Sequence, residues 1–491
     1  MVSANPFSNS ASDTPSDAQK TLSAVKKGSI LTLDIEKFAD RGKSLTRLDG
    51  YVVFVPGAVP GDRVKARVYR KRKKFAEAAL LEVVDPSPLR TDPKCRYFGT
   101  CGGCKWQHVK YQAQLEAKTQ SVHEAFAYAG GRPEVNVHPA LGADDVYYYR
   151  NKMEFSFSAG RWLTPDEIQS GEEFDTNFAL GLHVPGNFAK VLDLQECHLQ
   201  SEWSASFVNA IRAFALANAW APWHPRKHSG YLRHLVIRQA THTDEVMVNL
   251  VTSYHDEERM AEFGAWVQKT APGVTTLVNT INSGVAQTAF GEEIHLVFGP
   301  GVIHDRIGKH TFEIASNAFF QTNTRQAEVL YGVAAKYANL SKEDLVYDLY
   351  CGAGTISLFV APDVKHVVGV ELVEEAVANA RRNAAANGIE NVTFETGDMM
   401  KLFTPDFVRR HGRPDVLIVD PPRAGLHPKV VRQIGELAPE RFVYVSCNPQ
   451  SQAKDLSYLT EVYDVEEVQP VDLFPHTHHI ESVAKLRKRK G

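Results

Sequence analysis

The sequence of 491 residues contains no long hydrophobic run. No apolar stretch approaches the roughly 18–20 residues that a membrane-spanning helix needs, so we expect a protein without a membrane span. Residues 1–20 are rich in Ser, Asn, Asp and Ala and lack the charged start and apolar block of a secretion signal. This composition predicts a disordered tail. We therefore expect the protein to be cytoplasmic.

A strong excess of one charge is also absent, because the formal net charge is only −3. The overall charge therefore gives no support for nucleic-acid binding. The local distribution differs, since residues 63–74 (RVKARVYRKRKK) include eight basic residues and no acid. Such a run is compatible with a solvated hairpin face as well as with an RNA-binding surface.

Cysteines are few, six in all. In a cytoplasmic protein they are expected to be reduced, so their spacing points to metal binding or catalysis before disulfides. Three of them form the pattern Cys95-x5-Cys101-x2-Cys104, and Cys197 lies far downstream. A set of this kind can enclose one metal centre. The spacing is compatible with zinc bound by four thiolates and fits neither ferredoxin pattern.

Changes in pattern along the chain predict a multidomain α/β protein. After the tail, residues 21–88 consist of short alternating runs separated by turn-forming residues, which predicts a small β-barrel of a kind often used to bind single-stranded nucleic acid. Residues 89–320 contain the cysteine segment and a strand-rich central domain whose topology the pattern does not reveal. Residues 321–491 alternate helices with apolar strands, which predicts a Rossmann-like, doubly wound parallel sheet.

The first strand of this last domain runs into Asp348-Leu-Tyr-Cys-Gly352-Ala-Gly354-Thr355. Ser357 replaces the third glycine of the dinucleotide fingerprint, so the loop lacks the pyrophosphate-binding pattern of a dehydrogenase. Asp348 would repel a pyrophosphate but suits a ligand that carries a sulfonium and an ammonium group. Further carboxylates follow the next strands: Glu371, placed for the ribose hydroxyls, Asp398, placed near adenine, and Asp420, near the methyl donor. The pattern favours a methyltransferase that uses S-adenosylmethionine.

The fourth strand ends in Asp420-Pro-Pro-Arg423, and the next ends in Val445-Ser-Cys447-Asn-Pro. The first motif resembles the Asp/Asn-Pro-Pro-aromatic motif of enzymes that methylate exocyclic amines of bases, except that Arg423 replaces the aromatic residue. That class is therefore an alternative. A cysteine at the same rim suits carbon-5 of uracil, which becomes nucleophilic only after a thiolate adds to carbon-6. Because free cysteine has a pKa near ~8.5, the site is expected to stabilise the thiolate.

Together, these motifs and His478-His-Ile-Glu481-Ser-Val resemble the RNA (uracil-5-)methyltransferase family. Phe319-Phe-Gln321-Thr-Asn resembles the segment that precedes the family's methyltransferase core, and the N-terminal β-domain resembles its TRAM domain, an OB-like RNA-binding barrel. The resemblance implies that Cys447 is the nucleophile and Glu481 the proton acceptor. It also implies that the following residues contact S-adenosylmethionine: Gln321, Tyr350, Thr355, Glu371, Asp398 and Asp420.

The resemblance further implies a [4Fe–4S] cluster at Cys95, Cys101, Cys104 and Cys197. A radical S-adenosylmethionine enzyme is an alternative, but that class uses Cys-x3-Cys-x2-Cys and leaves one iron open. The combination of four cysteines and a TRAM domain is most like the branch that acts on 23S rRNA. The branch that modifies tRNA, which typically lacks both features, is the alternative. We expect a monomer. An RNA-binding protein with a degenerate methyltransferase fold would be expected to lack Cys447 and Glu481, and both are present.

Overall fold

The computed structural model describes residues 25–402 and 404–490, so the tail expected at residues 1–20 lies outside the described residues. The chain forms two compact units. One comprises the chain up to Asp92 together with His108–Lys110, and the other comprises Pro93–Gln107 and the chain from Tyr111 onward. None of the helices in the described part of the chain combines the length and the apolarity needed to cross a membrane.

The first unit is built on one six-stranded sheet, in the order β1-β5-β6-β4-β3-β2. Only β4 and β6 pair in parallel. In β5 the small apolar residues point into the core, and every basic residue of the strand lies on the exposed face. This alternation is the period of two that a half-buried strand requires. The strands are β1 (Ile30–Asp34), β2 (Lys37–Phe38), β3 (Lys43–Leu48), β4 (Tyr51–Pro56), β5 (Arg63–Lys71) and β6 (Phe75–Asp85).

In the second unit, the cysteine segment is followed by α1 (Tyr111–Glu124), continued by a π-helical turn at Ala125–Ala129. The central region forms an eight-stranded sheet in the order β15-β14-β13-β12-β8-β10-β11-β9. Helices α2 (Pro165–Ser170), α3 (Glu202–Ala217) and α4 (Glu257–Thr270) belong to this region. Strand β7 (Asn136–Val137) precedes this sheet and belongs to the C-terminal one. The strands of the central sheet are β8 (Lys152–Ser158), β9 (Arg161–Trp162), β10 (Ala179–Val184), β11 (Asn187–Asp193), β12 (Leu232–Gln239), β13 (Val246–Thr252), β14 (Thr276–Ile281) and β15 (Glu293–Phe298). A separate two-stranded sheet follows, formed by β16 (Val302–Ile307) and β17 (His310–Ala315).

The C-terminal region forms a second eight-stranded sheet in the order β20-β19-β18-β21-β22-β24-β23-β7. Strands β18 to β22 are mutually parallel, and β24 lies antiparallel between β22 and β23. Its elements are α5 (Thr324–Ala338), β18 (Leu345–Leu349), α6 (Thr355–Val360), β19 (His366–Glu371), α7 (Glu374–Ala386), β20 (Val392–Thr396), α8 (Met399–Leu402), α9 (Pro405–His411), β21 (Val416–Val419), α10 (Pro428–Leu437), β22 (Arg441–Ser446), α11 (Pro449–Ser457), β23 (Tyr463–Val471) and β24 (Glu481–Lys488).

Two hydrophobic cores cover the two faces of this sheet. Helices α5, α6 and α7 pack on one face, and α10 and α11 pack on the other together with the end of α1. The strands are apolar on both faces for this reason, as parallel strands between helix layers must be. This arrangement is the doubly wound sheet that the sequence predicts. In such sheets, ligands bind beyond the carboxyl ends of the parallel strands.

Candidate active site

The carboxyl ends of the parallel strands bring the predicted site residues to one rim. Tyr350 follows β18, Glu371 ends β19, Asp398 lies just after β20, Asp420 follows β21 and Cys447 follows β22. Because parallel strands all end at the same edge, five separate stretches of sequence supply one surface.

The loop after β18 turns sharply before α6. Tyr350 has a φ of 64° and Gly354 a φ of 79°, so both lie in the left-handed region. Glycine adopts this conformation at little cost, and a tyrosine does so only where the fold imposes it. A Cβ atom on Gly354 would lie 2.9 Å from Cζ of Phe394, so a larger residue would not fit against β20. Gly354 is therefore required by both backbone angle and space, whereas Gly352, with a φ of 53° and no atom within 4 Å of an added Cβ, is favoured by its backbone angle alone.

Glu371 is tied to this loop by backbone hydrogen bonds. Its Oε2 accepts from the amide of Gly352 at 3.1 Å, and its Oε1 accepts from the amides of Leu372 and Val373 at 2.7 and 3.0 Å. These bonds hold the carboxylate at the strand end, where the sequence predicts contacts with ribose hydroxyls. Carboxylate oxygens can accept further hydrogen bonds beyond these.

Asp348 lies completely buried beneath the loop. Its Oδ2 accepts a hydrogen bond from Oγ of Ser357 at 2.5 Å, whereas its buried Oδ1 has no hydrogen-bond partner. Burial raises the pKa of Asp348 to about 7. Such an unpartnered, desolvated carboxyl oxygen is stabilised by a ligand that brings positive charge. The residues present therefore fit S-adenosylmethionine, which carries a sulfonium and an ammonium group.

Three other predicted cofactor contacts are placed as follows. Gln321 is 9% exposed, and its backbone carbonyl accepts from Nδ2 of Asn151 at 2.7 Å. Thr355 begins α6. Oδ1 of Asp398 accepts from the amide of Met400, the second residue of α8, at 2.9 Å. Their contacts with a cofactor stay predictions. The sequence analysis missed Tyr331, a buried residue of α5 whose hydroxyl lies 3.0 Å from Oγ1 of Thr355, because its spacing is that of an ordinary core residue.

The pairing of β22 with β24 sets Cys447 against Glu481. Ser446, the last residue of β22, lies opposite Ser482 of β24 in this antiparallel register. Cys447, the next residue along the chain, is therefore close to Glu481, the first residue of β24, and the charge of Glu481 acts on its thiol. Glu481 is only 5% exposed. Burial raises its pKa well above the ordinary value, the charge of Asp420 adds to the rise, and the guanidinium of Arg423 opposes it. Glu481 is therefore not a solvated acid, although it stands at a strand end.

The site does not stabilise the Cys447 thiolate as the sequence analysis expected. Burial raises the pKa of Cys447 to about 11, and the charges of Glu481 and Asp420 raise it further, while Arg423 lowers it. The pKa of Asp420 is itself raised to about 7, by burial and by the charge of Asp348. The carboxyl groups of Glu481 and Asp420 thus both act on the thiol. Among these three charged groups, Arg423 is the one that brings positive charge to the thiol. Its motif in the sequence did not predict this electrostatic role.

Arg423 and Cys447 are held by contacts between the two motifs. The Nδ2 of Asn448 donates to the Arg423 carbonyl at 3.0 Å, and Oδ1 of the same asparagine accepts from the amide of Gln450 at 3.2 Å, which caps α11. Nη1 of Arg423 lies 3.3 Å from Nδ1 of His479. Asn448 therefore connects the two loops, and Arg423 extends from them towards the segment that precedes Glu481.

The four cysteines that are predicted to hold an iron–sulfur cluster are half-buried: Cys95, Cys101, Cys104 and Cys197. Burial raises the pKa of Cys101 to about 12 and that of Cys104 to about 11, and neighbouring thiols, Cys197 foremost, raise both further. Burial and the charge of Cys197 raise the pKa of Cys95 as well. The four thiols are thus near enough to influence one another. Yet no group of three or more histidine, cysteine or acidic residues in the described parts of the chain is arranged so that it could hold a metal ion. The cluster stays a prediction.

Comparisons with known proteins show which family the chain resembles. Residues 302–489 match the family model described as tRNA (uracil-5-)-methyltransferase, and residues 24–81 match the TRAM domain. An uncharacterized RNA methyltransferase from Porphyromonas gingivalis is 42% identical over 92% of this chain and 99% of its own length. Another from Chlorobaculum tepidum is 41% identical over 94% of this chain and 96% of its own length.

One solved structure is similar over nearly the whole chain. It is the tRNA (uracil-54, C5)-methyltransferase of Pyrococcus abyssi in complex with S-adenosyl-L-homocysteine. The two proteins are 28% identical, the TM-score is 0.71, and the match covers 93% of this chain and all of that one.

Proposed function

The chain belongs to the S-adenosylmethionine-dependent RNA methyltransferases that act on carbon-5 of uracil, and we propose that it does so through a covalent bond from Cys447. The observation that carries this proposal is the register that sets Cys447 against the buried Glu481 at the rim where Asp420 ends its strand. Methylation of carbon-5 requires a nucleophile that adds to carbon-6 and a nearby base that takes the proton of carbon-5.

The thiolate of Cys447 adds to carbon-6 of the uracil, and the electrons of the carbon–carbon double bond move towards oxygen-4. Carbon-5 of this enolate is then nucleophilic. Arg423, which lowers the pKa of Cys447, favours the ionised form of the sulfur. When bound, S-adenosylmethionine supplies a methyl group on a positively charged sulfur. The residues we assign to its binding are Gln321, Tyr350, Thr355, Glu371, Asp398 and Asp420.

Glu481 then accepts the proton from carbon-5, the double bond re-forms, and the sulfur of Cys447 leaves carbon-6. Burial and Asp420 raise the pKa of Glu481, which makes its ionised form a stronger base than a solvated glutamate. Its burial also excludes water from the position next to carbon-5. Glu481 is thereby suited to complete the reaction.

We propose that Cys95, Cys101, Cys104 and Cys197 hold a [4Fe–4S] cluster. Besides burial, the charge of Cys197 raises the pKa of each of the other three thiols, and this proximity supports the assignment. Thiolates are the ligands that such clusters require. The cluster has no step in the methylation chemistry.

We propose 23S rRNA as the substrate, on the basis of the four cysteines and the TRAM domain, and tRNA as the second candidate. The second is favoured by the Pyrococcus abyssi enzyme. The match with that enzyme leaves only 7% of this chain uncovered. The described part of the first unit, residues 25–92, is a larger fraction of the chain than this uncovered part. The match with the Pyrococcus abyssi enzyme therefore includes at least part of the first unit. The β-domain therefore does not argue against tRNA. We further propose that residues 21–88 bind RNA and that residues 321–491 carry out the methylation, with residues 89–320 between them.

The experiment that tests the covalent mechanism combines a suicide substrate with two cysteine variants. Wild-type protein, S-adenosylmethionine and RNA containing 5-fluorouridine should give a complex that survives denaturing electrophoresis, because fluorine at carbon-5 cannot leave as a proton. Cys447→Ala should form no complex and no 5-methyluridine, yet retain S-adenosylmethionine binding. The matched control is Cys351→Ala, which changes the buried cysteine of the cofactor loop, 6% exposed, and should still form the complex. Normal methylation by Cys447→Ala would rule out the covalent mechanism.

A further inference from the structure

Glu481 is presented by the segment Asp472–Ile480, which connects β23 to β24. His476, in the middle of this segment, has a φ of 63°. A residue other than glycine keeps a left-handed backbone only where surrounding contacts hold it there. The contacts made by the segment therefore decide where the first residue of β24 lies.

Five successive backbone carbonyls of this segment accept hydrogen bonds from distant parts of the chain. Buried backbone carbonyls need partners, but regular secondary structure usually supplies them, and here side chains supply most of them. Nε2 of Gln326 donates to the Asp472 carbonyl at 2.8 Å, and Nδ2 of Asn323 donates to the Leu473 carbonyl at 3.0 Å. Nζ of Lys118 donates to the Phe474 carbonyl and the Tyr149 hydroxyl to the Pro475 carbonyl, each at 3.1 Å. The His476 carbonyl accepts from the amides of Lys105 and Trp106 at 2.8 and 3.0 Å.

The residues that follow Cys104 provide the last of these contacts, and Gln114 of α1 reinforces them. Its Nε2 donates to the Trp106 carbonyl at 3.0 Å, and its Oε1 accepts from the His476 amide at 2.9 Å. Gln114 is completely buried. One side chain thus connects the end of the cysteine segment to the segment that carries Glu481.

A second contact from α1 is an ion pair with no solvent exposure. Nζ of Lys118 lies 2.6 Å from Oδ1 of Asp472, and both side chains are 0% exposed. The hydroxyl of Tyr111 donates to Oδ2 of Asp472 at 3.1 Å. A buried charge is costly unless it is paired, so α1 and the start of the segment cannot separate cheaply.

The path from His476 to Glu481 is short and also constrained. Oγ1 of Thr477 donates to the Phe474 carbonyl at 2.8 Å and accepts from the His479 amide at 3.2 Å. His479 lies against Arg423, and Ile480 is buried in the core. A displacement of His476 therefore passes to Glu481 instead of being absorbed by a loose loop.

We propose that Gln114 and Tyr149 are positioning residues for Glu481: they hold the segment 472–480 so that the carboxylate lies within reach of the proton on carbon-5. This inference rests on the proposed role of Glu481 as the proton acceptor. Removing either contact lets the segment relax, and a displacement on the order of 1 Å at a reacting group can cost about a hundredfold in rate. The step affected is proton removal, which follows formation of the covalent bond.

Two variants and two matched controls test the proposal. Tyr149→Phe removes only the hydroxyl that donates to Pro475. Gln114→Leu removes the amide and with it the contacts to Trp106 and His476, which include Nε2 at 3.2 Å from Nδ1 of His476. The control Tyr463→Phe removes a buried hydroxyl that donates to the Pro439 carbonyl at 2.9 Å, at the end of β23 that lies away from the segment 472–480. The control Gln120→Leu removes an exposed glutamine of α1, which bonds Glu124 at 3.1 Å.

The measurement is the ratio of methylated covalent protein–RNA complex to free 5-methyluridine product during turnover on ordinary RNA. In Tyr149→Phe and Gln114→Leu this ratio should rise about tenfold or more over wild type and over both controls, because methylated adduct waits for its proton to leave. Loss of folded protein lowers both quantities together and leaves the ratio unchanged. If Gln114→Leu does not fold, Tyr149→Phe decides.

A ratio equal to that of the controls, whatever the total activity, would overturn the positioning role. Failure of the proposed function gives a different result. In that case wild-type protein would form no complex even with 5-fluorouridine RNA, and the variants would not need to be compared.

Discussion

Cys447 illustrates how one residue must serve a site designed around several charges. Its pKa of about 11 reflects burial first and then two neighbouring carboxyl groups, with Arg423 acting in the opposite direction. The thiolate is a minor form at neutral pH as long as only protein groups surround it. Positive charge brought to the rim by a ligand would lower the pKa of Cys447, and such a coupling keeps the thiol unreactive until substrates are present.

We predict the pH dependence of Cys447 alkylation from these shifts. In protein without substrates, the rate of reaction with iodoacetamide should rise about tenfold per pH unit between pH 8 and 10, because the thiolate fraction grows until the pKa is reached. At pH 9, above the pKa of about 7 of Asp420, Asp420→Asn removes a negative charge, lowers the pKa of Cys447 and should speed alkylation. Arg423→Leu removes a positive charge and should slow it. Mass spectrometry of the Cys447 peptide measures both, with the Cys351 peptide as reference, and equal rates in the two variants would contradict the electrostatic account.

We predict that Glu481→Gln stops the reaction after methyl transfer. The glutamine cannot accept the carbon-5 proton, so the sulfur of Cys447 cannot leave carbon-6. A methylated, covalent protein–RNA complex should accumulate on denaturing gels, with at least a hundredfold less free product, since general-base catalysis contributes about 10²–10⁴-fold. The matched control is Glu467→Gln in β23, a carboxylate bonded to Lys485 at 3.0 Å, which should turn over normally. Normal turnover by Glu481→Gln would point to His478 or His479 as the base.

At the scale of elements, the basic residues at the end of β5 differ in their contacts from those in the turn that follows it. Arg70 pairs with Glu77 at 3.2 Å, and Lys71 donates to the Val25 carbonyl at 2.6 Å. Arg72, Lys73 and Lys74 are exposed and follow at the turn between β5 and β6. The turn therefore carries the charges that an RNA phosphate can reach most easily, and the solvated-face alternative remains to be tested there.

We predict that replacing Arg72, Lys73 and Lys74 with glutamine weakens RNA binding. Three fewer counterions would be released, so the slope of log affinity against log salt should fall by about 2. The control replaces Arg47, Arg63 and Lys65, which pair with carboxylates at 2.9, 3.8 and 2.9 Å, and should change the slope less. Binding is measured by filter retention over a range of salt. An unchanged slope in the turn variant would leave the run a solvated surface.

The cysteine segment is the second element with a predicted ligand. Anaerobically purified protein should contain about four irons per chain, and it should show the brown colour and the absorption spectrum of an iron–sulfur cluster. Cys197→Ser should lower the iron content, whereas Cys447→Ala, which changes a cysteine at the methyltransferase rim, should retain it while abolishing methylation. Iron analysis and absorption spectra are sufficient. Stoichiometric zinc without iron would exclude the cluster and leave the methylation proposal standing.

At the scale of the whole molecule, the open question is which RNA the enzyme modifies. We predict that a strain lacking this protein loses 5-methyluridine from 23S rRNA and that wild-type protein restores it, whereas Cys447→Ala does not. Mass-spectrometric mapping of ribosomal and transfer RNA measures both classes in one sample. Loss from tRNA alone would establish the second candidate, which the Pyrococcus abyssi enzyme favours.

The positions of the rim residues could be predicted from sequence because they depend on local order. A strand, then a loop with Gly352 and Gly354, then acids at successive strand ends, indicates a doubly wound sheet whose strands all end at one edge. The motif around Cys447 could be interpreted in the same way. The central sheet could not be predicted, since β12, β13 and β14 are buried on both faces and show no alternation from which to infer pairing.

Only the tertiary structure decided the state of the groups at the site. Glu481 as an isolated residue reads as a solvated acid, and it is buried because β24 inserts antiparallel between β22 and β23. The pKa of Cys447 depends on charges from two other elements, the loop after β21 and the start of β24. His476 is held by Lys105 and Trp106, which lie at the opposite end of the chain. Burial, charge and hydrogen bonding act through space over a few ångströms, so residues far apart in sequence determine them, and no local pattern records those distances.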